Sequence, residues 1–226
     1  MPDLAAALRD ALAAAADPAK APAMQAYMKS TMPFRGVPTP ERRQLTRAVL
    51  RDVGPPGDRE TWLRTVTDLW EDAAFREERY VALDLCAMRP ARRWQDATLL
   101  PTYDHFVVSG AWWDHVDTVA GLLGPILRDD RTTVEPTIRA WIIDDDLWRR
   151  RTSIIVQNGA KSATDTVLLA DAIVANLADR DFFIRKAIGW ALREYAKTDP
   201  AWVRTFVAAH DDRLSPLSRR EATKHL

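Results

Sequence analysis

Apolar residues recur along this chain at helical spacing, three and four apart, and rarely alternate in the way a half-buried strand requires. Trp62, Val66, Leu69 and Trp70 form one such stripe, and Tyr80, Leu83 and Leu85 a second. Val116, Val119, Ala120 and Leu123 form a third, and Leu168, Ile173 and Leu177 a fourth. Start signals stand ahead of several helices. Thr39, Pro40 and Glu41 read as an N-cap, a first-turn proline and an early acid, opening a helix expected to bury Leu45 and Val49 before Gly54-Pro55-Pro56-Gly57 stops it. Asp199-Pro200 repeats the device ahead of Trp202, Val203, Phe206 and Val207. Asp181 is expected to cap a helix from Phe182 to about Lys197, and Ser218 with Glu221 to form a capping box for the last helix. About a dozen helices with short joints and no strand predict one all-α domain over residues 1–226. Each short amphipathic helix can bury its stripe only against neighbours, which favours helix pairs stacked side by side into a curved solenoid with a concave face.

Composition narrows the class. The 226 residues are 47% hydrophobic and 28% charged, ordinary values for a folded globular chain. Only 8 glycines occur, with no GxGxxG or GxxxxGK[ST] string, so a nucleotide-binding α/β fold has little support. The single cysteine, Cys86, has no partner for an internal disulfide, and the Ala-rich Leu4–Ala16 carries Arg9 and Asp10 rather than a leader pattern or a membrane span. The cytoplasm is the expected compartment, with no membrane partner.

Charge changes the picture when it is read by segment. The 32 basic and 32 acidic residues cancel, which argues against a generally basic nucleic-acid binder. Yet Leu147–Lys161 holds Arg149, Arg150, Arg151 and Lys161 with no acid, and Phe182–Lys197 sets Arg185, Lys186, Arg193 and Lys197 against Glu194 alone. Arg213–Leu226 sets Arg213, Arg219, Arg220 and Lys224 against Glu221, while residues 128–146 are rich in acids. The neutral total conceals segregated charge.

Candidate chemistry is sparse. His105, His115, His210 and His225 show no metal-ligand spacing, so no zinc site is expected. Asp144-Asp145-Asp146 stands where a helix should begin and reads as a solvated cap rather than a cation site. No GxSxG or reactive-cysteine signature appears. Of the nine tryptophans, Trp62, Trp70, Trp94, Trp141 and Trp202 fall on or beside apolar stripes and read as packing residues. The run from Trp112 to Asp117 is different. Trp113 and Asp117 stand four apart, on one helical face, and a carboxylate beside an indole suits a substrate with positive charge and a flat or sugar surface. An ion pair between Asp117 and Arg150 or Arg151 explains the same carboxylate equally well, and an exposed solvated face explains the arginine triplet.

Longer strings carry a resemblance. Met24-Gln25-Ala26-Tyr27-Met28-Lys29, Pro33-Phe34-Arg35-Gly36-Val37 and Thr39-Pro40-Glu41-Arg42-Arg43 resemble the opening of the AlkD-type DNA alkylation repair family, the HEAT-like-repeat alkylpurine DNA glycosylases. Trp112-Trp113-Asp114 with Val116-Asp117, Leu147 to Thr152, Phe182 to Trp190 with Leu192 to Tyr195, and Pro216 to Ala222 resemble later strings of that family in the same order. The resemblance spans residues 20–226. It implies a right-handed solenoid of HEAT-like antiparallel helix pairs and a monofunctional glycosylase. Such an enzyme hydrolyses the N-glycosidic bond of N3- or N7-alkylated purines in duplex DNA and leaves an abasic site, without metal or organic cofactor. It also implies a monomer in the bacterial cytosol, at work on the nucleoid. Asp117 matches the family's catalytic aspartate, Trp113 and Trp190 its flanking aromatics, and Arg151 the arginine beside them. Tyr27, Lys29, Arg42, Arg43, Arg149, Arg150, Phe182, Phe183, Arg185, Lys186, Arg219 and Arg220 are the implied DNA contacts. The competing expectation is a noncatalytic helical-repeat binder of branched DNA or of protein partners.

Overall fold

Thirteen α-helices account for most of the chain in its computed structural model, which describes residues 3–224 and 226; no strand occurs among them. His225 lies outside the described residues. In order the helices are α1 (Leu4–Ala14), α2 (Ala21–Met28), α3 (Thr39–Asp52), α4 (Arg59–Glu71), α5 (Arg76–Ala87), α6 (Leu100–Gly110) and α7 (Trp113–Asp129). They continue with α8 (Arg131–Ile142), α9 (Leu147–Ile155), α10 (Thr166–Ala175), α11 (Phe182–Ala196), α12 (Pro200–Ala209) and α13 (Pro216–Ala222). Short 3-10 turns at Arg89–Trp94, Ala97–Leu99 and Lys161–Ala163 join some of them. None of the described helices is long and apolar enough to cross a membrane.

Local chemistry explains most helix starts. Asp3, Asp58, Asp130, Asp146, Asp165, Asp181 and Asp199 each cap a helix by accepting from a backbone N–H in the first turn. Two starts differ from expectation. Pro38 occupies the N-cap of α3 without a side-chain bond, and the Thr39 hydroxyl instead accepts from Arg42 Nη1 at 3.3 Å. Ser215, not Ser218, caps α13; Ser218 donates its own N–H to Ser215 Oγ at 3.0 Å, and Glu221 is drawn away to Lys186 and Arg193.

Backbone packing groups the chain into two compact units, Met1–Trp94 and Gln95–Leu226. In the first, α4 pairs with α5, and α1 lies against α3, α4 and α5. Its core holds Leu8, Leu12, Trp62, Val66, Leu69, Trp70, Val81 and Leu85, so the first stripe is buried as expected. The inward face of α3 is instead Arg42, Thr46 and Leu50, with Leu45 and Val49 half-buried. Arg42 turns inward because a carboxylate and a ring await it: its Nε donates to Asp84 Oδ2 at 2.9 Å and its guanidinium lies 4.8 Å from the Tyr80 ring centre.

In the second unit α9 is the hub, packed against α6, α7, α8, α10 and α11. The stripes Val116, Val119, Ala120 and Leu123, and Leu168, Ile173 and Leu177, are buried there. A glycine sets how closely α11 meets α13: a Cβ on Gly189 would stand 2.5 Å from Glu221 Cβ and 2.8 Å from the Ser218 carbonyl oxygen.

Candidate active site

Three helix beginnings come together in the second unit. Ala111 ends α6 in the left-handed region, φ +34°, and Trp112 then runs extended as the N-cap of α7. Buried His115 Nδ1 donates across this turn to the Gly110 carbonyl at 3.2 Å. The Trp112 ring meets Trp148, in the first turn of α9, at 5.9 Å between centres, and Phe183, in the first turn of α11, at 5.2 Å. Trp148 and Phe183 close the triangle at 5.1 Å, and Phe182 packs edge-on against Phe183 at 5.5 Å. Aromatic contacts of this kind add to area burial and hold the three helix starts in register.

Against this cluster lies the Asp117–Arg151 pair. Arg151 Nε donates to Asp117 Oδ1 and Nη2 to Oδ2, both at 2.8 Å, while Nη1 donates to the Phe183 carbonyl at 2.6 Å. A planar guanidinium with its fork on a carboxylate fixes orientation as well as charge. Exposure is unequal: the Arg151 side chain is 5% exposed and that of Asp117 is 18%. The arginine is therefore the backing, and the carboxylate the face that another molecule can reach. Burial pushes the Asp117 carboxyl above its ordinary range, Arg151 opposes the rise, and Asp114 adds to it.

The arginine triplet fans out because successive helical residues point about 100° apart. Arg149 forks onto Asp104 of α6 at 2.7 and 2.8 Å, and Arg150 reaches Asp179 at 3.1 Å together with the Asp144 and Asp145 carbonyls. Both arginines therefore spend their charge on carboxylates within the protein. Asp146 caps α9 as expected, and no group of three metal-ligating side chains occurs among the described residues.

Trp113 stands one turn before Asp117 at the start of α7, half-buried. Trp190, also half-buried, lies seven residues beyond Phe183 and on the same face of α11. Neither ring enters an aromatic pair among the described residues. Of the other residues named from the sequence, Phe182 and Arg220 are exposed and Arg185 folds back onto the Asp181 carbonyl at 3.3 Å. Lys186 pairs with Glu221 at 2.7 Å, and Arg219 with Asp211. Tyr27, Lys29, Arg42 and Arg43 belong to the first unit, where Tyr27 and Lys29 are exposed, Arg42 is buried, and Arg43 shares Asp84 at 3.2 Å. The sequence reading missed Trp148 as an aromatic partner and Asp104 and Asp179 as counter-charges. Asp104 and Asp179 stand 45 and 29 positions from the arginines they hold, and Trp148 meets Trp112 and Phe183 across helices, where periodicity carries no signal.

Comparison with known proteins bears on this site. Residues 8–226 match the family model described as DNA alkylation repair enzyme. A solved structure described as a predicted DNA alkylation repair enzyme from Enterococcus faecalis is 32% identical, with a TM-score of 0.82 over 93% of this chain and 96% of that one. No significant match was found among curated proteins.

Proposed function

Since the chain belongs to the DNA alkylation repair enzyme family, we propose that it is a monofunctional glycosylase acting on N3- and N7-alkylated purines in duplex DNA. The observation that carries this reading is Asp117, a partly buried carboxylate whose two oxygens are held by Arg151 with one edge left reachable. The family match crosses both compact units, which supports treating them as one functional domain.

An alkylated purine that carries a positive charge leaves as a neutral base once the electrons of its N-glycosidic bond return to the ring. No proton donor is needed for that departure. The positive charge moves to the deoxyribose, where Asp117 offsets it, and water adds at the anomeric carbon and passes its proton to the carboxylate and then to solvent. One carboxylate is sufficient for this chemistry. Trp113 and Trp190 serve as apolar, electron-rich walls for the sugar, and Arg151 keeps Asp117 oriented and ionised. Phosphate contacts fall to the residues left exposed, among them Lys29 and Arg220. Arg149 and Arg150 reach a phosphate only by leaving Asp104 and Asp179.

The test is single-turnover release from matched duplexes that differ only in the lesion. N7-methylguanine and N3-methyladenine should leave, and uracil and hypoxanthine, which depart as anions unless protonated, should stay. Efficient removal of the neutral lesions overturns the mechanism, and release of no lesion at all leaves a binding protein.

Acidity provides a second check. The reaction needs Asp117 ionised, so the rate should fall on acidification with a midpoint above the ordinary 3.8, in the direction that burial imposes. Arg151→Met removes the influence that lowers this pKa and should move the midpoint further up. A midpoint that stays in place would mean that Asp117 is not the titrating group.

A further inference from the structure

A cavity of about 410 Å³ opens in the second unit between the Gln157–Thr164 segment, α10 and the C-terminal half of α11. Its lining, which includes Tyr195 twelve residues along α11 from Phe183, contains none of Trp113, Asp117, Arg151 and Trp190. The proposed reaction makes no use of it.

Its lining is rich in unspent donors. Asn158 lines the cavity, and its Nδ2 has no hydrogen-bond partner among the described residues; the atom is covered from solvent as the side chain stands, so a ligand reaches it only when the amide turns toward the cavity. Lys161 forms no ion pair among them, and its backbone sits in the left-handed region at φ +56°, which costs energy for a side chain of this kind. The carboxylate on the wall, Glu194, is already engaged, with both oxygens accepting from Lys197 Nζ at 2.6 and 2.8 Å. Tyr195, whose phenol is protonated near neutral pH even at its ordinary value, adds a hydroxyl-bearing side chain to the same wall. Leu169 and Ala191 supply apolar surface to the same lining. A free ammonium and a buried amide donor without an acceptor are stabilised by an oxyanion, and the volume fits a small organic molecule better than a bare ion.

We infer that this cavity binds a small phosphate ester, with its oxyanion on Lys161 and Asn158 and its organic part over Leu169 and Ala191. The inference is independent of the glycosylase reading, because none of these residues has a part in base release. A backbone phosphate of DNA offers the same oxyanion, and the experiment separates the two sources.

Calorimetric titration of the full chain with deoxyadenosine 5′-monophosphate, with inorganic phosphate and with an undamaged duplex tests the site. Lys161→Asn suits the left-handed backbone while removing the ammonium, so the fold should survive, as a thermal melt will show. The mononucleotide should bind the wild type more tightly than inorganic phosphate does. Lys161→Asn should weaken it about tenfold, the loss of one charge-assisted hydrogen bond, Asn158→Ala should also weaken it, and Lys161→Arg should retain it. Base release should be unchanged in all three variants. Weaker duplex binding by Lys161→Asn, with no mononucleotide binding, keeps the oxyanion site and assigns its occupant to the DNA backbone. Mononucleotide binding that neither Lys161→Asn nor Asn158→Ala alters overturns the inference. So does the absence of mononucleotide and phosphate binding together with a duplex affinity that Lys161→Asn leaves unmoved.

Discussion

Asp117→Asn should slow single-turnover release of N7-methylguanine by a hundredfold or more, because an amide cannot offset the positive charge that develops on the sugar. Removing a preorganised group of this kind costs on the order of 3 kcal/mol in the barrier. The structure adds a second consequence. Arg151 aims two N–H groups at Asp117 and is nearly inaccessible to water, so the amide leaves one donor facing an NH2 group and a buried cation without its counter-charge. A loss of about 2 kcal/mol in folding stability should accompany the loss of rate. The double variant Asp117→Asn/Arg151→Met separates the two effects, since it removes the stranded cation and should recover stability without recovering base release. If Asp117→Asn released the base at the wild-type rate, the carboxylate would have no part in the chemistry.

Glu77→Ala should unfold or severely weaken the first unit without touching any residue of the proposed reaction. Glu77, at the start of α5, is fully buried, and its two oxygens accept the backbone N–H groups of Arg35 at 3.0 Å, Gly36 at 2.9 Å and Val37 at 3.1 Å. The loop is also held by the Arg35 carbonyl, which accepts from the Asp17 N–H at 2.8 Å, and by buried Phe34 and Val37, but among the described residues those contacts leave the three N–H groups to Glu77 alone. Gly36 is left-handed at φ +86°, and a Cβ on it would stand 2.1 Å from the Asp17 carbonyl oxygen, so the loop passes too close to its neighbour for a side chain. Removing the carboxylate orphans two buried donors and one part-buried donor, at about 4 kcal/mol in total once some water entry is allowed, against about 5–15 kcal/mol for a typical whole domain. Glu77→Gln, with one acceptor oxygen left, should lose about half as much. Denaturant midpoints measure both, and a Glu77→Ala loss below about 1 kcal/mol would show that the loop does not depend on this side chain.

The Phe34-Arg35-Gly36 string illustrates what a sequence shows and what it hides. It is readable as part of a family string, yet nothing near it in the chain indicates that Glu77, more than forty positions away, supplies its hydrogen bonds. The same division runs through the helices. Asp181 and Asp199 are legible as caps because a cap is an interaction within one turn, between a side chain and the N–H groups two or three residues on. Thr39 and Ser218 carry the same local chemistry and do not cap: Pro38 stands at the N-cap of α3, Ser215 takes that place for α13, and Glu221 is claimed by Lys186 and Arg193 of α11.

At the candidate site the shared face of Trp113 and Asp117 follows from their spacing alone, as does the burial of Val116, Val119 and Leu123 behind it. Spacing left Arg150 and Arg151 equal as partners for Asp117. The rotation of α9 about its axis, set by Trp148 meeting Trp112 and Phe183, turned Arg151 toward α7 and Arg150 toward Asp179. By itself the sequence determined where the aspartate-capped helices begin, that the stripes of α4, α7 and α10 are buried, and which residues ride together on a face, because those depend on interactions a few residues long; the inward face of α3 and the caps of α3 and α13 it did not determine. Only the tertiary structure decided which charges meet, since a helix can present the same residues at any rotation until its neighbours lock one of them.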